Sequence, residues 1–156
     1  ESVRLRLPEG SRVMDTGGVK GRTREVSREE LEQSLADRLG VGPDRLVNMY
    51  GLTEHATQFL DATLRRPDRR HVKEPPPWSR TRVLDRETLA PAPAGTVGLL
   101  CHTDLANRAS VCTVLTEDLG VEREGGFELV GRAPGTEARG CSIAMDELLG
   151  ALGSGR

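Results

Sequence analysis

The sequence predicts a mixed α/β fold, an α/β lobe passing into a small, mostly β subdomain. A capping box and a leucine stripe mark one helix near the start. A short apolar run follows that helix and reads as a buried strand. From Thr81 onward the chain breaks into brief runs of apolar and β-branched residues separated by turn residues.

Taken in order, Val3-Arg4-Leu5-Arg6-Leu7 alternates as a strand does, and Pro8-Glu9-Gly10 ends it. Val13-Met14 then runs into Asp15-Thr16-Gly17-Gly18-Val19-Lys20-Gly21-Arg22, a glycine-rich loop with basic residues. Ser27 with Glu30 forms the capping box, Leu31, Leu35 and Leu39 share one stripe, and Gly40 supplies the stop. Residues 45–49 read as the buried strand, so 1–60 is an α/β segment with a glycine loop. Residues 61–79 carry Arg65, Arg66, Arg69, Arg70, His71 and Lys73 ahead of Pro75-Pro76-Pro77-Trp78, and read as a long solvated loop that the prolines stiffen. In the β-rich stretch 80–156, strands are expected at 81–84, 96–101, 110–115 and 127–130, with a short final helix over 146–152.

Composition narrows the function classes. Lys and Arg number 22 against 24 Asp and Glu, so charge gives no argument for nucleic acid or an anionic membrane. No apolar stretch approaches the ~18 residues of a membrane span. Aromatic residues are 3% of the chain, which predicts a core of Leu, Val, Ile and Ala. The start, Glu1-Ser2-Val3-Arg4-Leu5, is unlike a secretory signal and lacks an initiator Met, as a fragment or trimmed chain would. Cys101, Cys112 and Cys141 have no paired metal spacing and cannot all pair internally, which points to free thiols in a reducing cytoplasm.

The most informative segment is Asn48-Met49-Tyr50-Gly51-Leu52-Thr53-Glu54. A strand end followed by a tight turn projects these groups into one crevice, at the sheet edge where ligands of α/β proteins bind. Tyr50 offers a ring to a purine, and Gly51 lets the backbone come close to a ligand. Thr53 offers a hydroxyl to a phosphate or carboxylate oxygen, and Glu54 a carboxylate to a hard cation such as Mg²⁺. The competing readings are a half-buried strand-end tyrosine and a plain surface carboxylate.

Four segments in order resemble the adenylate-forming enzymes (acyl- and aryl-CoA ligases, peptide-synthetase adenylation domains, luciferases). Gly17-Gly18 is similar to their adenine-side loop, and Tyr50-Gly51-Leu52-Thr53-Glu54 to their Tyr-Gly-x-Thr-Glu motif. Thr116-Glu117-Asp118-Leu119-Gly120 resembles the Thr-Gly-Asp-Leu-Gly motif whose Asp binds ribose, and Gly131-Arg132 resembles the opening of their hinge. Thr16 to Arg22, Pro76-Pro77-Trp78, Thr103-Asp104-Leu105-Ala106-Asn107, and Gly131 to Gly135 with Arg139 to Ser142 are similar to the LuxE-type acyl-protein synthetase family, which activates fatty acids for the bacterial bioluminescence reductase. The resemblance covers nearly the whole chain and implies the C-terminal portion of an adenylate-forming-enzyme large domain. The family's Ser/Thr/Gly-rich phosphate loop and most of its acyl pocket lie upstream and have no counterpart here. Ala133-Pro134 stands where many superfamily members carry a hinge Asp, and nothing after Arg139 resembles the small domain with the adenylation lysine.

That resemblance implies an ATP- and Mg²⁺-dependent ligase acting on a fatty acid or other carboxylic acid. Tyr50 would stack on adenine, with Gly17, Gly18 and Gly51 giving backbone access, Thr53 on the α-phosphate and Glu54 on Mg²⁺. Asp118 would accept the ribose hydroxyls with Arg132 nearby; plain turn chemistry is the other reading of Asp118. Cys141 would take the acyl group as a thioester, or is a small buried cysteine beside Ile143. Lys20 and Arg22 either reach phosphates or form a solvated basic turn. Cys101-His102 is discounted as a nucleophile–base pair, because strand neighbours point to opposite faces. The implied partners are the missing N-terminal half and an acyl-reductase or carrier protein docking on the Arg65–Lys73 run. The alternatives are a CoA ligase of the phenylacetate type and an inactive nucleotide-binding or interaction module.

Overall fold

The computed structural model describes residues 5–16 and 27–134, and two sheets meet in it. In the first, β1 (Val13–Thr16) runs parallel to β2 (Leu46–Gly51), and β3 (Gln58–Leu60) pairs antiparallel to β2. Helix α1 (Arg28–Leu39) connects the two parallel strands, as such a crossover requires. The second sheet is antiparallel throughout, in the order β4 (Val72–Lys73), β8 (Gly126–Arg132), β7 (Thr113–Arg123), β6 (Val97–Asp104), β5 (Ser79–Leu84). The mixed α/β class, with its helix early and its strands late, is therefore the one the sequence predicts.

Helix α1 begins and ends where local chemistry says it should. Ser27 Oγ accepts the Glu30 N–H at 3.1 Å, and Glu30 accepts the Ser27 N–H at 3.3 Å. Gly40 closes the helix at φ +67°, its N–H bonded to the Ala36 carbonyl. The helix does not bury its leucine stripe: Leu31, Leu35 and Leu39 are half-buried, whereas Glu32 is 8% exposed. Glu32 is drawn inward because it accepts from Arg28 Nε at 3.0 Å and from Arg70.

Four expectations are corrected. Within the strand expected at 3–7, the described residues 5–7 form no strand; the N–H groups of Leu5 and Leu7 bond the carbonyls of Arg38 and Leu39 at 2.8 and 2.9 Å. The last carbonyls of a helix have no partner within it, and this segment supplies two. The basic stretch is solvated only in part: residues 64–68 are exposed, whereas 69–73 are half-buried or buried. It folds into turns at Ala62–Leu64 and Pro67–Arg69 and into β4, with Lys73 1% exposed. The strand expected at 110–115 is instead β7, which carries Thr116–Gly120 within it, with a break in register against each neighbouring strand there. The buried apolar residues are mostly Val, Leu and Ala, as expected, but the central cluster is aromatic as well: Tyr50, Phe59 and Phe127 pack with Val83 and Leu100, using the chain's one Tyr and both Phe. Large rings bury so much area that a few suffice.

That core lies between the sheets, with Tyr50 from β2 and Phe59 from β3 meeting Val83, Leu100 and Phe127 of the second. A bulge at Leu119/Gly120 in the β7–β8 pairing lies next to Asp118. Gly120 is needed there, because a Cβ would sit 2.6 Å from Leu100 Cδ2 and 2.7 Å from the Glu128 carbonyl oxygen.

Candidate functional site

Three of the residues singled out by sequence come together. Asp118 of β7 lies opposite Arg132 of β8 in the strand register, and Tyr50 reaches Asp118 from the end of β2. The Tyr50 hydroxyl donates to Asp118 Oδ2 at 2.8 Å, and Arg132 Nε stands 3.3 Å from Asp118 Oδ1. Arg132 also donates to Glu117 at 3.1 Å. The Asp118 N–H bonds Thr116 Oγ1, which itself donates to the Leu100 carbonyl, so the strand fixes the aspartate from behind. Burial, reinforced by the Asp118 charge, pushes the Tyr50 phenol far above its ordinary pKa, and it stays a donor. The Asp118 side chain is 15% exposed and that of Arg132 36%, so a buried phenol grades into an open ion pair.

The Tyr50 ring is mainly a core ring. It is 9% exposed, with ring centres of Phe59, His102 and Phe127 at 6.0, 5.6 and 6.1 Å. Its hydroxyl is the part that meets the charged edge.

Beyond β2 the chain turns through Thr53 and Glu54, both exposed, with the Thr53 hydroxyl donating to Glu54 Oε2 at 3.1 Å. This turn is gripped by segments whose role sequence reasoning did not see. Asp104, fully buried at the end of β6, accepts the N–H groups of Thr57 and Ala106, each at 2.9 Å. Burial opposes its charge, yet the bonds from Thr57 and Ala106 hold its carboxyl below the ordinary range. Asn107 donates to the Glu54 carbonyl and, at 2.8 Å, to the Val111 carbonyl. Trp78 donates to Thr57 Oγ1 at 3.0 Å, and its carbonyl accepts the Leu105 N–H at 2.9 Å. The Pro76-Pro77-Trp78 and Thr103–Asn107 motifs thus converge on one turn. The signal in the sequence was two polar-and-aromatic motifs without a chemical task of their own. A Cβ on Gly51 would meet nothing nearer than Gln58 Cγ at 3.9 Å, so packing does not require a glycine there.

His102 joins the two halves of the core. It is fully buried, its Nδ1 lies 2.9 Å from Thr81 Oγ1, and its Nε2 lies 3.4 Å from the Tyr50 oxygen. A separate open cleft of about 580 Å³ is lined by Val47, Thr57, Leu60, Leu64, Arg65 and Trp78 among others, and none of Tyr50, Asp118 and Arg132 borders it. Gly17, Gly18, Lys20, Arg22, Cys141 and the 146–152 helix lie outside the described residues. Cys101 and Cys112 are free thiols, the first buried and the second exposed. Among the described residues no three His, Cys, Asp or Glu side chains cluster as a metal site, and no helix is long and apolar enough to cross a membrane.

Comparison with known proteins gives a consistent picture. A family model described as acyl-protein synthetase, LuxE, matches residues 1–150. A long-chain-fatty-acid–luciferin-component ligase of Vibrio harveyi is 29% identical over 150 residues, covering 90% of this chain and 38% of that protein. Its counterpart in Aliivibrio fischeri is 26% identical over 148 residues, covering 88% and 38%. The chain therefore spans 38% of the length of these relatives. Among solved structures, McyG A-PCP complexed with phenylalanyl-adenylate superposes with TM-score 0.57 at 18% identity, over 85% of this chain and 26% of that one. A long-chain-fatty-acid-CoA ligase from Archaeoglobus fulgidus superposes with TM-score 0.55 at 15% identity, over 96% and 32%. At such identities the likeness is one of fold, and the fold is part of that of the adenylate-forming enzymes.

Proposed function

This chain belongs to the LuxE acyl-protein synthetase family, and on that premise we propose that it supplies the adenosine-binding part of an enzyme that activates a fatty acid with ATP. The observation that carries the proposal is the meeting of Tyr50, Asp118 and Arg132 at one half-open edge. A carboxylate oxygen of the acid attacks the α-phosphorus of ATP, the bond to pyrophosphate breaks, and an acyl-adenylate forms. A cysteine thiolate then attacks the acyl carbon and releases AMP. The first step needs a fixed adenosine and neutralised phosphate charge. Asp118 has acceptor capacity beyond the Tyr50 bond for the ribose hydroxyls, and Arg132 balances its charge. The buried Tyr50 ring is not free to stack on adenine as expected; its hydroxyl borders the adenosine, and Gly51, with room around its Cα, lets the nucleotide approach the backbone. Gly17 and Gly18 extend that approach. Thr53 meets the α-phosphate.

Mg²⁺ keeps most of its ligands as water and substrate phosphate and asks for only one or two carboxylates, so the exposed Glu54 suits it. When bound it would offset charge on the phosphates. The acyl acceptor is Cys141, the setting is the cytoplasm, and the acyl group goes on to a reductase or carrier protein.

The test supplies this chain, alone and with the remainder of a family enzyme as a second chain, with labelled fatty acid and ATP. The expected result is acid-dependent exchange of pyrophosphate into ATP, and label on the protein that Cys141→Ser abolishes while exchange persists. Label moving to CoA regardless of Cys141→Ser would replace this reading with a CoA ligase. No exchange in the reconstituted pair would leave an interaction module.

A further inference from the structure

We propose that His102 is a positioning residue for ribose recognition: it fixes the Tyr50 hydroxyl and, through it, the carboxylate of Asp118 in the orientation that accepts the sugar's hydroxyls. The inference rests on the adenylation reading above and deepens it at the same site.

His102 stands on β6, wholly buried, with the rings of Phe59, Phe127 and Tyr50 centred 4.9, 5.3 and 5.6 Å away. A polar imidazole among such rings is costly unless both nitrogens are bonded. Phe59 and Phe127 offer no hydrogen-bond partner; Thr81 at 2.9 Å and Tyr50 at 3.4 Å do. The proton positions then follow in sequence. A carboxylate only accepts, so the single phenolic proton goes to Asp118 at 2.8 Å. The Tyr50 oxygen is left as an acceptor, which calls for a proton on His102 Nε2. Neutral imidazole carries one such proton, so Nδ1 accepts from the Thr81 hydroxyl.

The result is a chain with one direction, Thr81 to His102 to Tyr50 to Asp118, running from β5 through the core to the half-open edge. Burial, and secondarily His55, pushes the His102 pKa down to about 3, so the ring stays neutral and the direction does not reverse near neutral pH. Asp118 is thus held on one oxygen by the phenol and on the other by Arg132 at 3.3 Å. Its remaining lone pairs are aimed by those two bonds. The pairing with the adjacent Cys101, considered from sequence as a nucleophile and base, is not what His102 makes; its bonds lead to Tyr50 and Thr81.

Two measurements test this on the intact chain. Long-range ¹H–¹⁵N spectra should show the Nε2–H tautomer of His102 from pH 5 to pH 8; the Nδ1–H tautomer or an imidazolium in that range overturns the proposal. Calorimetry then compares an acyl-sulfamoyl adenosine with its 2′,3′-dideoxy counterpart. The unaltered protein should prefer the ribose compound roughly tenfold or more, and Asp118→Ala should erase that preference. His102→Met, close in volume, should erase it too, with affinity for the dideoxy compound held within about twofold. His102→Gln, whose amide can donate in place of Nε2–H, should restore it. A preference lost in Asp118→Ala but kept in His102→Met overturns the role of His102 and leaves the ribose site standing. No preference in the unaltered protein removes the ribose reading and this inference with it.

Discussion

Asn48 and Tyr50 lie on the same face of β2, yet the polar networks they join are built in opposite ways. Around Asn48 the centre is closed, and only Arg28 and Asp15 at its margin are partly exposed. Lys73 Nζ donates to Asp61 Oδ1 at 2.8 Å, to Asn48 Oδ1 at 2.9 Å and to the Asn48 carbonyl at 3.2 Å, which uses all three of its donors. Asp61 Oδ2 in turn accepts the Asn48 N–H at 3.0 Å and Arg28 at 2.9 Å, and Asn48 Nδ2 reaches Asp15 at 2.7 Å. The Lys73 and Asp61 side chains are 2% and 1% exposed. Burial lowers the lysine's pKa and the Asp61 charge works against that fall. Around Tyr50 the network opens, ending in Asp118 and Arg132 at a wet edge. A network saturated at its buried centre ties the two sheets together, through the bridge between Asp61 and Lys73. A network that ends in a partly exposed carboxylate has capacity left for a ligand.

The difference is most sharply broken at Lys73. Lys73→Met leaves Asp61 buried with Arg28 and the Asn48 N–H as its remaining partners, and removing one partner of a buried pair costs about 3–5 kcal/mol. Urea unfolding should show that loss; a stability within 1 kcal/mol of the unaltered chain, on the order of experimental scatter, would mean the network around Asn48 is not the tie described. A second effect separates the core beneath Tyr50 from the edge. The folded pKa of His102, about 3, lies below its ordinary 6.5, so the unfolded chain takes up the proton first as pH falls. Its contribution is full above 6.5 and drains away between there and about 3. The slope is about 1.4 kcal/mol per pH unit. Unfolding measured across that window should flatten by this amount in His102→Gln. The smallest effect sharpens the comparison at the open end. Gly51→Ala should change stability by no more than about 0.5 kcal/mol, since its Cβ meets only Gln58 Cγ at an ordinary contact distance of 3.9 Å, while weakening nucleotide binding severalfold. Unchanged binding would remove Gly51 from the ligand's path.

What could be read in the sequence divides along the same line. Helix α1 was legible because its signals, Ser27, Glu30 and Gly40, act within one turn of their targets. Tyr50, Asp118 and Arg132 were legible as motif members, but not their meeting, which depends on the register of β7 against β8 and on where β2 ends. The Arg65–Lys73 run reads as solvated throughout, and Arg65 and Arg66 are exposed, but Arg70 and Lys73 are drawn in by Glu32, Asn48 and Asp61, supplied from α1, β2 and the end of β3. Thr116–Gly120 carries turn residues, yet it lies inside β7: Leu119 and Gly120 pair with both β6 and β8, Asp118 pairs with β8 alone, and the glycine answers to Leu100 rather than to a turn. His102 and the grip of Asp104 and Asn107 on the Thr53–Glu54 turn have no local signature, since each bonds a residue far along the chain.

The central claim is that adenosine binds at the edge formed by Tyr50, Asp118 and Arg132. Calorimetric titration with a non-hydrolysable acyl-adenylate analogue tests it directly, comparing the unaltered chain with Asp118→Ala and Tyr50→Ala. The account predicts saturable binding that Asp118→Ala weakens by about 10- to 100-fold, the range of a hydrogen bond to a charged group, and that Tyr50→Ala also weakens. Binding that is saturable but indifferent to both substitutions would place the nucleotide elsewhere and contradict the account.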